Sequence, residues 1–449
     1  MKLAAALAAR LAAGRSLRQA CPRASHAALP RLGRDPVAVL QASNRGRLPA
    51  LVPIRYARMA KSPFAFLRGA AALMAQDIGP LPPSGLRVQV CGDCHLSNFG
   101  GWASPERTLL FGINDFDETT PGAPEWDLKR LAASFVVAMR QQGLSGDRAR
   151  DAVRELARTY REQMRAFAGM RAIDVWYHRV ELDEVAGLSR TARERRLRAD
   201  LRKQARRHTS WHVYPELVVG SGGHPVIADH PPLIYHPRGM PAFSRDMKAF
   251  ITAYRRSLPA ERRVLLDRYE PVDVAIKVVG VGSVGTRCAV ALLMAGPDDP
   301  LLLQIKEARP SVWARWSPGP RHAEEGARVV AGQRMLQPAS DIFLGYARAS
   351  RPAADFYVRQ LVDRKVSVPL DGLSGAGFIA YARVCALALA KGHARTGDPA
   401  AISGYLGQGG QFDKALATFA NRYADQTERD HAKLLAAVRS GRVQAAGEP

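Results

Sequence analysis

The chain has 449 residues, of which 47% are hydrophobic and 24% charged, so it can bury a substantial core and is not a disordered protein. Its five cysteines are few and odd in number, which disfavours a disulfide-built scaffold and favours a reducing compartment. The excess of 65 basic over 41 acidic residues gives a net charge of +24, which favours anionic partners such as nucleotides, nucleic acid or anionic lipid.

The first 34 residues are rich in Ala and Leu and carry basic residues but no acid. Arg10 interrupts the apolar run and no clean cleavage region follows, which disfavours a secretory signal peptide; the composition is closer to that of an organellar presequence. We expect residues 1–34 to form a basic, loosely ordered N-terminal arm of a cytoplasmic protein. No stretch of the sequence reaches the roughly 18 uninterrupted apolar residues of a membrane-spanning helix.

Residues 35–268 are expected to form a helical part that carries the main site between residues 91 and 117. The apolar run Leu86–Val90 predicts a strand that ends at this stretch, and Thr108–Ile113 predicts a second strand. Paired as the arms of a hairpin, these strands would set Asp93 and Asn98 beside Asp115. Side-chain oxygens gathered at strand ends suit Mg²⁺, a hard cation that is held by few carboxylates together with substrate phosphates.

Two motifs in this stretch resemble the catalytic and metal-binding loops of protein-kinase-like phosphotransferases, especially the aminoglycoside and choline kinase branch. Gly92-Asp93-Cys94-His95-Leu96-Ser97-Asn98 fits the Gly-Asp-x-His-x-x-Asn loop, and Asp115-Phe116-Asp117 fits the later Asp-Phe-Asp element. The resemblance implies that Asp93 orients or deprotonates an acceptor hydroxyl. It also implies that Asn98 and Asp115 hold Mg²⁺, with Asp117 as a further candidate ligand. The alternative is that Asp and Asn simply build turns here.

The same stretch spells two other site patterns. Cys91-Gly92-Asp93-Cys94-His95 is a literal C-x-x-C-H, the attachment pattern of c-type haem. Covalent haem attachment requires export, for which the sequence offers no convincing signal, so haem is disfavoured. A zinc site built on Cys91, Cys94 and His95 is disfavoured because no second Cys/His pair is spaced to complete a tetrahedron.

Further motifs resemble an uncharacterised bacterial family, domain of unknown function twenty-two fifty-two. They are the arginine-rich lead at Arg55–Met59 and Ser62–Gly69, the Gly-Asp-x-His loop, the Asn-Asp-Phe-Asp-Glu element and the glycine loop described below. The resemblance spans nearly the whole chain after the N-terminal arm but implies no reaction. Pro121–Leu131 resembles the Asp-Leu-Ala segment of sugar and choline kinases, which implies that Asp127 braces the catalytic loop.

Residues 145–268 are expected to be mostly helical, with a basic surface and an irregular centre that selects the acceptor. Arg190–Arg207 is rich in Lys and Arg and predicts a solvated helix face. No aromatic residue interrupts this run as a base-stacking surface requires, so a dedicated nucleic-acid role is disfavoured. The centre also holds four histidines without metal-ligand spacing, which disfavours a zinc site there: His212, His224, His230 and His236.

Residues 269–365 change character and predict a β-rich unit. An apolar run from Val272 leads into a G-x-G-x-x-G sequence, which occurs both in dinucleotide-binding folds and in kinase phosphate loops. The segment after the glycines is short and β-favouring, whereas a dinucleotide fold needs a helix there. We therefore expect a phosphate-binding turn between two strands. Its candidate nucleotide ligands are Gly280, Gly282, Ser283, Gly285 and Arg287.

The kinase resemblance also implies a phosphate-binding lysine, for which Lys306 on the third predicted strand is the candidate. Val274–Lys277 spells the kinase V-A-I-K by letters but precedes the glycines, on the wrong strand. The acid that pairs with Lys306 is expected on the following helix, where Glu324 and Glu325 are available. Val362–Lys365 then occupies the place of a kinase hinge.

The order of these parts is reversed relative to kinases, in which the glycine loop and lysine precede the catalytic loop. We expect an α+β, protein-kinase-like two-lobed fold that is circularly permuted, with residues 366–449 completing the helical lobe. The expected function is ATP- and Mg²⁺-dependent phosphotransfer, with Asp93 and Lys306 as the catalytic pair and an acceptor that no motif identifies. Two alternatives stay open: an NAD(P)-binding oxidoreductase that uses residues 280–285, and a non-catalytic nucleotide- or nucleic-acid-binding basic protein.

Overall fold

The protein is an α+β molecule, seen here in a computed structural model. The structure describes residues 2–144, 146–182, 199, 202–207, 209–220, 225–237, 243–278, 280–317, 319, 322–350 and 353–446. Most of the predicted solvated face at Arg190–Arg207 lies outside the described residues, as does His224. None of the described helices combines the length and the apolar character needed to cross a membrane.

Helices account for most of the described secondary structure, and several begin where the sequence offers a cap. The Asp35 carboxylate accepts a hydrogen bond from the Val37 amide, and Ser62 does the same for Ala65, each followed by a proline in the first turn. The principal helices are Lys2–Ser16, Pro36–Ser43, Val52–Ala60, Pro63–Gly69, Ala71–Ile78, Pro124–Gln141, Asp147–Ala168, Ala172–Tyr177, Ser210–Leu217, Phe243–Arg256, Ala260–Leu266, Glu325–Leu336, Gly375–Thr396, Pro399–Leu406 and Gln411–Arg439.

Thirteen strands are present in the described part of the chain. They are β1 (Val88–Val90), β2 (Phe99–Ala103), β3 (Leu109–Ile113), β4 (Thr120–Gly122), β5 (Val218–Val219), β6 (Val226–Ile227), β7 (Ile234–Tyr235), β8 (Glu270–Lys277), β9 (Cys288–Met294), β10 (Pro300–Ala308), β11 (Gly345–Ser350), β12 (Ala353–Gln360) and β13 (Val366–Ser367).

The largest sheet has six antiparallel strands in the order β11-β12-β10-β9-β8-β7. Its central strand β10 reads Pro-Leu-Leu-Leu-Gln-Ile-Lys-Glu-Ala, and Leu301, Leu303 and Ile305 join a buried cluster under the helix Phe243–Arg256. Lys306 lies opposite Cys288 of β9 and Tyr357 of β12. The predicted β-rich unit is therefore a sheet with Lys306 on a central strand.

The predicted hairpin at residues 86–113 pairs differently from our expectation. β1 pairs with β4, and β3 pairs with β2, a strand over Phe99–Ala103 that the sequence interpretation assigned to loop. The turn between β2 and β3 is closed by the Ser104 amide, which donates to the Thr108 carbonyl oxygen at 2.8 Å. Phe-Gly-Gly-Trp-Ala has low strand propensity, but Gly100 is required because a Cβ there would lie 2.2 Å from the Val366 carbonyl oxygen of neighbouring β13.

The N-terminal segment is helical and packed, which corrects the expectation of a loosely ordered arm. Lys2–Ser16 crosses Pro399–Leu406 so closely that a Cβ on Gly14 would lie 2.0 Å from the Ala401 carbonyl oxygen. The Arg18 guanidinium donates to the carbonyl oxygen of Tyr405 at 2.8 Å. The end of the predicted helical part 366–449 is a single long helix, Gln411–Arg439.

Candidate active site

A cavity of about 890 Å³ lies between the six-stranded sheet, the loops after β1 and β3, and the helices of residues 36–76. Charged residues of both signs line it. Most of the predicted site residues are among those lining it: Asp93, Asn98, Asp115, Asp117, Gly280, Gly282, Ser283 and Lys306. A cavity of this size accommodates a nucleotide or another ligand of that class.

The loop after β1 is held in shape by buried backbone contacts. Gly92 adopts a positive φ of 82°, and a Cβ there would lie 2.1 Å from the Glu118 carbonyl oxygen. The Asp127 carboxylate accepts hydrogen bonds from the amides of Cys91 and Gly92, at 2.7 and 3.0 Å. Trp313 donates to the Gly92 carbonyl oxygen at 2.6 Å. Asp127 thus braces the loop from the start of the helix Pro124–Gln141.

Asp93 is paired with a buried arginine. Arg130, whose side chain is 2% exposed, donates from Nε to Asp93 Oδ1 at 2.9 Å, and its terminal nitrogen lies 2.8 Å from the same oxygen. The other carboxylate oxygen, Oδ2, lies 3.8 Å from His95 Nε2. Burial raises the pKa of Asp93 above its ordinary value, and Arg130 offsets only part of that effect. Burial likewise lowers the pKa of His95 well below its ordinary value, so this imidazole is neutral.

Asn98 and Asp115 line the same cavity, and the loops that carry them are joined through the backbone. The Asn114 amide donates to the Asn98 carbonyl oxygen at 2.8 Å, which fixes the ends of β2 and β3 together. The Asn98 side-chain amide donates to the Asp93 carbonyl oxygen at 2.8 Å and leaves its Oδ1 available. Burial and the neighbouring Asp117 carboxylate raise the pKa of Asp115. The Asn98 amide oxygen and the Asp115 carboxylate oxygens are hard donor atoms, the kind that Mg²⁺ prefers.

Lys306 joins the six-stranded sheet to the loop after β3. Its Nζ lies 2.8 and 3.1 Å from the two carboxylate oxygens of Asp117 and 3.8 Å from Asp115 Oδ1. Burial disfavours the charged amine, but the two carboxylates outweigh that and raise the pKa of Lys306 well above its ordinary value. Burial would raise the pKa of Asp117, yet Lys306 and the Tyr357 hydroxyl, which donates at 2.5 Å, lower it to about 2.

The glycine sequence forms a turn between the antiparallel strands β8 and β9. Residues Val281–Ser283 make one 3-10 turn, Gly285 has a positive φ of 87°, and the chain then enters β9. A dinucleotide-binding fold requires a helix at this point, so the geometry weighs against the nicotinamide alternative. The Ser283 hydroxyl donates to Asp117 Oδ2 at 3.2 Å, which places the turn over the acidic pair.

Two expected contacts are replaced by others. Arg287 does not line the cavity: its guanidinium pairs with Glu307 at 3.2 Å, and its amide donates to the same carboxylate at 2.8 Å. Gly285 also lies outside the cavity lining, against Arg47. Neither Glu324 nor Glu325 pairs with Lys306, whose described carboxylate partners are Asp115 and Asp117.

The helix expected to supply the acid for Lys306 contributes Arg328 instead. Arg328 pairs with Glu325 one helical turn away and donates to the Asp117 carbonyl oxygen at 2.9 Å. It also donates to the carbonyl oxygen of Thr119. The helix Glu325–Leu336 therefore supports the loop after β3 through that loop's backbone carbonyl oxygens, and Asp117 neutralises Lys306.

Sequence reasoning missed several basic and aromatic residues at this site. Arg359 donates to the Asn114 carbonyl oxygen at 3.0 Å and faces Asp115. Lys365, in the segment predicted as a hinge, lines the same cavity, and burial and Arg359 lower its pKa to about 7. Arg130 and Tyr357 were missed as well. Arg130 lies in the Pro121–Leu131 segment, from which only Asp127 was assigned a role, and a charged residue inside an apolar strand was the signal that the sequence offered for Arg359.

Neither histidine nor cysteine forms a convincing metal site in the described residues. Cys91, Cys94 and Asp127 have ligand atoms within 4.8 Å of one another, but Asp127 already accepts two backbone hydrogen bonds. Burial raises the pKa of both thiols, which disfavours the thiolates that a metal requires. In the irregular centre, His236 lies between two carboxylates, those of Asp229 and Asp273.

The helix Gly375–Thr396 lies beside the loop after β1. Tyr381 donates its hydroxyl proton to the Leu96 carbonyl oxygen at 2.7 Å. Near the other end of the helix, His393 Nε2 lies 3.3 Å from Asp127 Oδ2 and its Nδ1 lies 2.8 Å from the Tyr160 hydroxyl. The C-terminal part of the chain thus completes the support of the loop that carries Asp93.

Comparisons with known proteins identify a family but no characterised relative. No curated protein matches the chain, and no solved structure matches it either. One family model, DUF2252, described as "Uncharacterized protein conserved in bacteria", matches residues 47–437, which include the whole cavity apart from part of its helical wall. This chain therefore belongs to that uncharacterised bacterial family, as its motifs predicted.

Proposed function

We propose that the protein is an ATP- and Mg²⁺-dependent phosphotransferase with a circularly permuted, protein-kinase-like arrangement of its parts. The observation that carries this proposal is the position of Lys306 Nζ, 2.8 Å from Asp117 and 3.8 Å from Asp115, beneath the glycine turn. Lys306 and Asp117 are 189 residues apart in the chain, and each was predicted from a separate kinase-like motif. A purely structural ion pair does not require a glycine turn, an asparagine and a second carboxylate around one cavity.

The donor atoms around the cavity fit Mg²⁺. Asp115 and the Asn98 amide oxygen are hard ligands and would hold the ion, with Asp117 beside them. Bound there, Mg²⁺ would neutralise charge on the phosphate oxygens. Lys306 and the amides of the glycine turn would position the phosphates, because phosphoryl transfer depends mainly on positioning and charge stabilisation.

Asp93 is the proposed base. Arg130 occupies Oδ1, so Oδ2 is the oxygen that accepts the proton of the acceptor hydroxyl. The hydroxyl oxygen then bonds to the γ-phosphorus of ATP as the bond from that phosphorus to the β,γ-bridging oxygen breaks. ADP leaves with the electron pair of that bond, and the proton stays on Asp93 until it passes to solvent. The raised pKa of Asp93 favours this role because a stronger base accepts the proton more readily.

The permuted arrangement is supported by the order of elements. Strand β8, the glycine turn, β9 and β10 with Lys306 follow one another as in a kinase small lobe, but they come after the loop that carries Asp93. The helix Gly375–Thr396, which contacts that loop through Tyr381, follows these strands in the chain. One departure from the kinase pattern is that Lys306 pairs with Asp117 and not with a glutamate of the helix Glu325–Leu336.

Ligand-induced thermal stabilisation tests this proposal. Mg-ATP should raise the melting temperature of the wild-type protein, whereas NADH should not, because a ligand that binds only the folded state stabilises it. The variant Lys306→Gln should lose the Mg-ATP effect, and Lys433→Gln, the same change at an exposed lysine, should retain it. Stabilisation by NADH and not by Mg-ATP would refute the proposal and restore the oxidoreductase alternative.

A further inference from the structure

One wall of the cavity is formed by four arginines, Arg47, Arg68, Arg309 and Arg315, which we call the arginine wall. They come from the helical region of residues 36–76 and from the segment that follows β10. Asp93 and Glu118 lie at the edge of this wall, next to the loop that carries the proposed base. None of the four belongs to the motifs on which the phosphotransferase proposal is based.

The arginine wall has no ionic partner in the described part of the chain. Arg47 donates to two carbonyl oxygens, those of Ser43 at 3.2 Å and Val284 at 2.6 Å. Arg309 donates to the carbonyl oxygen of Arg45, and Arg315 lies over the ring of Trp316 with its guanidinium carbon 5.8 Å from the ring centroid. Arg68 Nε is buried without any hydrogen-bond partner. Carbonyl oxygens and a ring face carry no full charge, so none of the four guanidinium groups has a carboxylate at ion-pair distance among the described residues.

The acidic residues around the wall are engaged elsewhere. Asp93, which acts electrostatically on Arg68, is paired with Arg130. Glu307 is already paired with Arg287. Glu118 accepts a hydrogen bond from the Val312 amide, and burial raises its pKa to about 7, so it is only partly ionised at neutral pH. Burial and the neighbouring Arg309 lower the pKa of Arg47 to about 10. Three of the four arginines are partly buried and Arg315 is exposed at the cavity. A group of cations that lack a nearby counter-charge is unfavourable, and a bound anion would supply that charge.

We propose that the arginine wall binds a phosphate group carried by the acceptor, so that the enzyme phosphorylates a hydroxyl of a small phosphate monoester. This inference rests on the proposed function. Lys306 and the glycine turn are assigned to the nucleotide phosphates, whereas Arg68 faces Asp93, the base that receives the acceptor proton. A phosphate bound at Arg68 would therefore hold a neighbouring hydroxyl beside Asp93.

The chemistry of the wall favours phosphate over a carboxylate. A guanidinium presents a planar fork that binds either oxyanion through two hydrogen bonds. A single carboxylate brings one negative charge and two oxygens, which two arginines already saturate. A phosphate monoester brings close to two negative charges and three terminal oxygens, which match four guanidinium groups better. The cavity, at about 890 Å³, has room for a small acceptor besides the nucleotide.

The test uses inorganic phosphate as the probe and keeps the nucleotide site occupied. The protein is saturated with Mg²⁺ and AMP-PNP, a non-hydrolysable ATP analogue, and titrated calorimetrically with phosphate or acetate at constant ionic strength, since salt screens charge interactions. The double variant Arg68→Gln/Arg309→Gln is compared with Arg150→Gln/Arg171→Gln, which removes the same charge at two arginines that are at least half exposed and do not line the cavity.

We expect phosphate to bind the wild type and the control, with acetate much weaker. In Arg68→Gln/Arg309→Gln the phosphate Kd should rise about tenfold or more, while the AMP-PNP affinity stays within about twofold. The double variant without ligand should melt no lower than the wild type, because it removes unpaired charge from the free protein. A lower melting temperature would point to a structural role and contradict the inference.

Two further outcomes would overturn the inference. Equal phosphate affinity in wild type and double variant would show that the wall is not the anion site. A parallel loss of AMP-PNP affinity would assign these arginines to the nucleotide phosphates. If the wild type fails to bind AMP-PNP, the proposed function fails separately, and the anion site is then tested by titrating the free protein with phosphate. Loss of phosphate binding in the double variant would support the anion site. Unchanged phosphate binding, or none in the wild type, would refute it.

Discussion

Asp115 and Asp117 are two residues apart, yet their surroundings give them different roles. Both oxygens of Asp117 are engaged, by Lys306, the Tyr357 hydroxyl and the Ser283 hydroxyl. Asp115 accepts one weak hydrogen bond, from the Asp117 amide at 3.3 Å, and lies 3.8 Å from Lys306. The less engaged carboxylate is the one that can rearrange around a cation. Within the proposed function, Asp115 would therefore be the main metal ligand of the two, whereas Asp117 anchors Lys306.

The variant Asp115→Ala should lose Mg²⁺-dependent nucleotide binding and keep its fold. We expect the affinity for Mg-ATP to fall on the order of 100-fold, because one of few ligands to the ion is removed. Calorimetric titration with and without Mg²⁺ measures this, and circular dichroism reports the fold. Asp267→Ala, the same change at an exposed aspartate, is the control. Unchanged Mg-ATP affinity in folded Asp115→Ala would remove this residue from the site.

Asp93→Asn should separate binding from turnover. The amide keeps the hydrogen bonds that an oxygen can accept from Arg130 but cannot take up a proton, so Mg-ATP affinity should change little. The Mg²⁺-dependent release of phosphate from ATP, with water as the acceptor, should fall by about two orders of magnitude. Normal phosphate release by this variant would exclude Asp93 as the base, and loss of ATP binding would show that its role is structural.

The residues that the sequence identified at this site are those in short motifs. Asp93 and Asn98 share one loop, and the glycine turn has a recognisable spacing. Arg130 and Arg359 were not predicted, because their hydrogen-bond partners lie 37 and 245 residues away in the chain. A local sequence pattern does not identify partners at such a separation. The acid that neutralises Lys306 was misassigned for a related reason: a kinase pattern located the lysine, but only the fold shows which carboxylate reaches it.

At the scale of single elements, the loop after β1 depends on one glycine. Gly92→Ala would force an L-residue into a positive φ and bring its Cβ to 2.1 Å from the Glu118 carbonyl oxygen. Gly143→Ala is the matched control, because Gly143 has a similar φ of 71° but nothing within 4 Å of the added carbon. We expect Gly143→Ala to lower the free energy of unfolding by about 1 kcal/mol and Gly92→Ala by about 3 kcal/mol or more.

Urea unfolding of both variants measures the difference. Gly92→Ala should also lose ATP turnover, because the loop that carries Asp93 begins there. Equal destabilisation of the two variants would mean that the backbone conformation alone matters and that the contact with Glu118 relaxes without cost.

The sequence predicted helices and strands well where one hydrophobic pattern determines the type of element. Strand β10 is the predicted strand that carries Lys306, and the helix Gly375–Thr396 lies in the predicted helical part 366–449. Strand β2 was missed because its two glycines lower its strand propensity. The requirement for glycine at Gly100 comes from the neighbouring strand β13, which leaves no room for a Cβ. Pairing of β1 with β4 was likewise not predictable, because strand partners depend on tertiary contacts and not on local pattern.

At the scale of the whole molecule, the first and last parts of the chain are packed together. His26, 3% exposed, lies with Nε2 2.6 Å from the Tyr405 hydroxyl and with its ring 5.1 Å from that of Phe412. Burial lowers the pKa of His26 to about 4, against an ordinary value of 6.5. The contact between these distant segments therefore requires a neutral imidazole.

The stability of this contact should depend on pH with a definite sign. Between pH 6.5 and 4 the unfolded chain binds a proton at His26 and the folded protein does not, so stability falls as the pH is lowered through this window. At pH 5 the loss is about 2 kcal/mol relative to pH 7.5. His26→Gln cannot titrate, so its unfolding free energy should fall by that much less than the wild type between these pH values. Urea unfolding at both pH values checks this, and parallel losses would contradict the assignment.

The distance along the chain between Lys306 and Asp117 also determines when the two residues can pair during biosynthesis. At about 5–20 residues per second, the 189 residues between them take roughly ten to forty seconds to translate. Until then the nascent chain holds Asp115 and Asp117 without the amine that neutralises them, and two unpaired carboxylates resist burial. The acidic loop consequently reaches its final form only after the six-stranded sheet has been made. On the proposed function, the chain would therefore become active only after β10 has been synthesised and has brought Lys306 to Asp117.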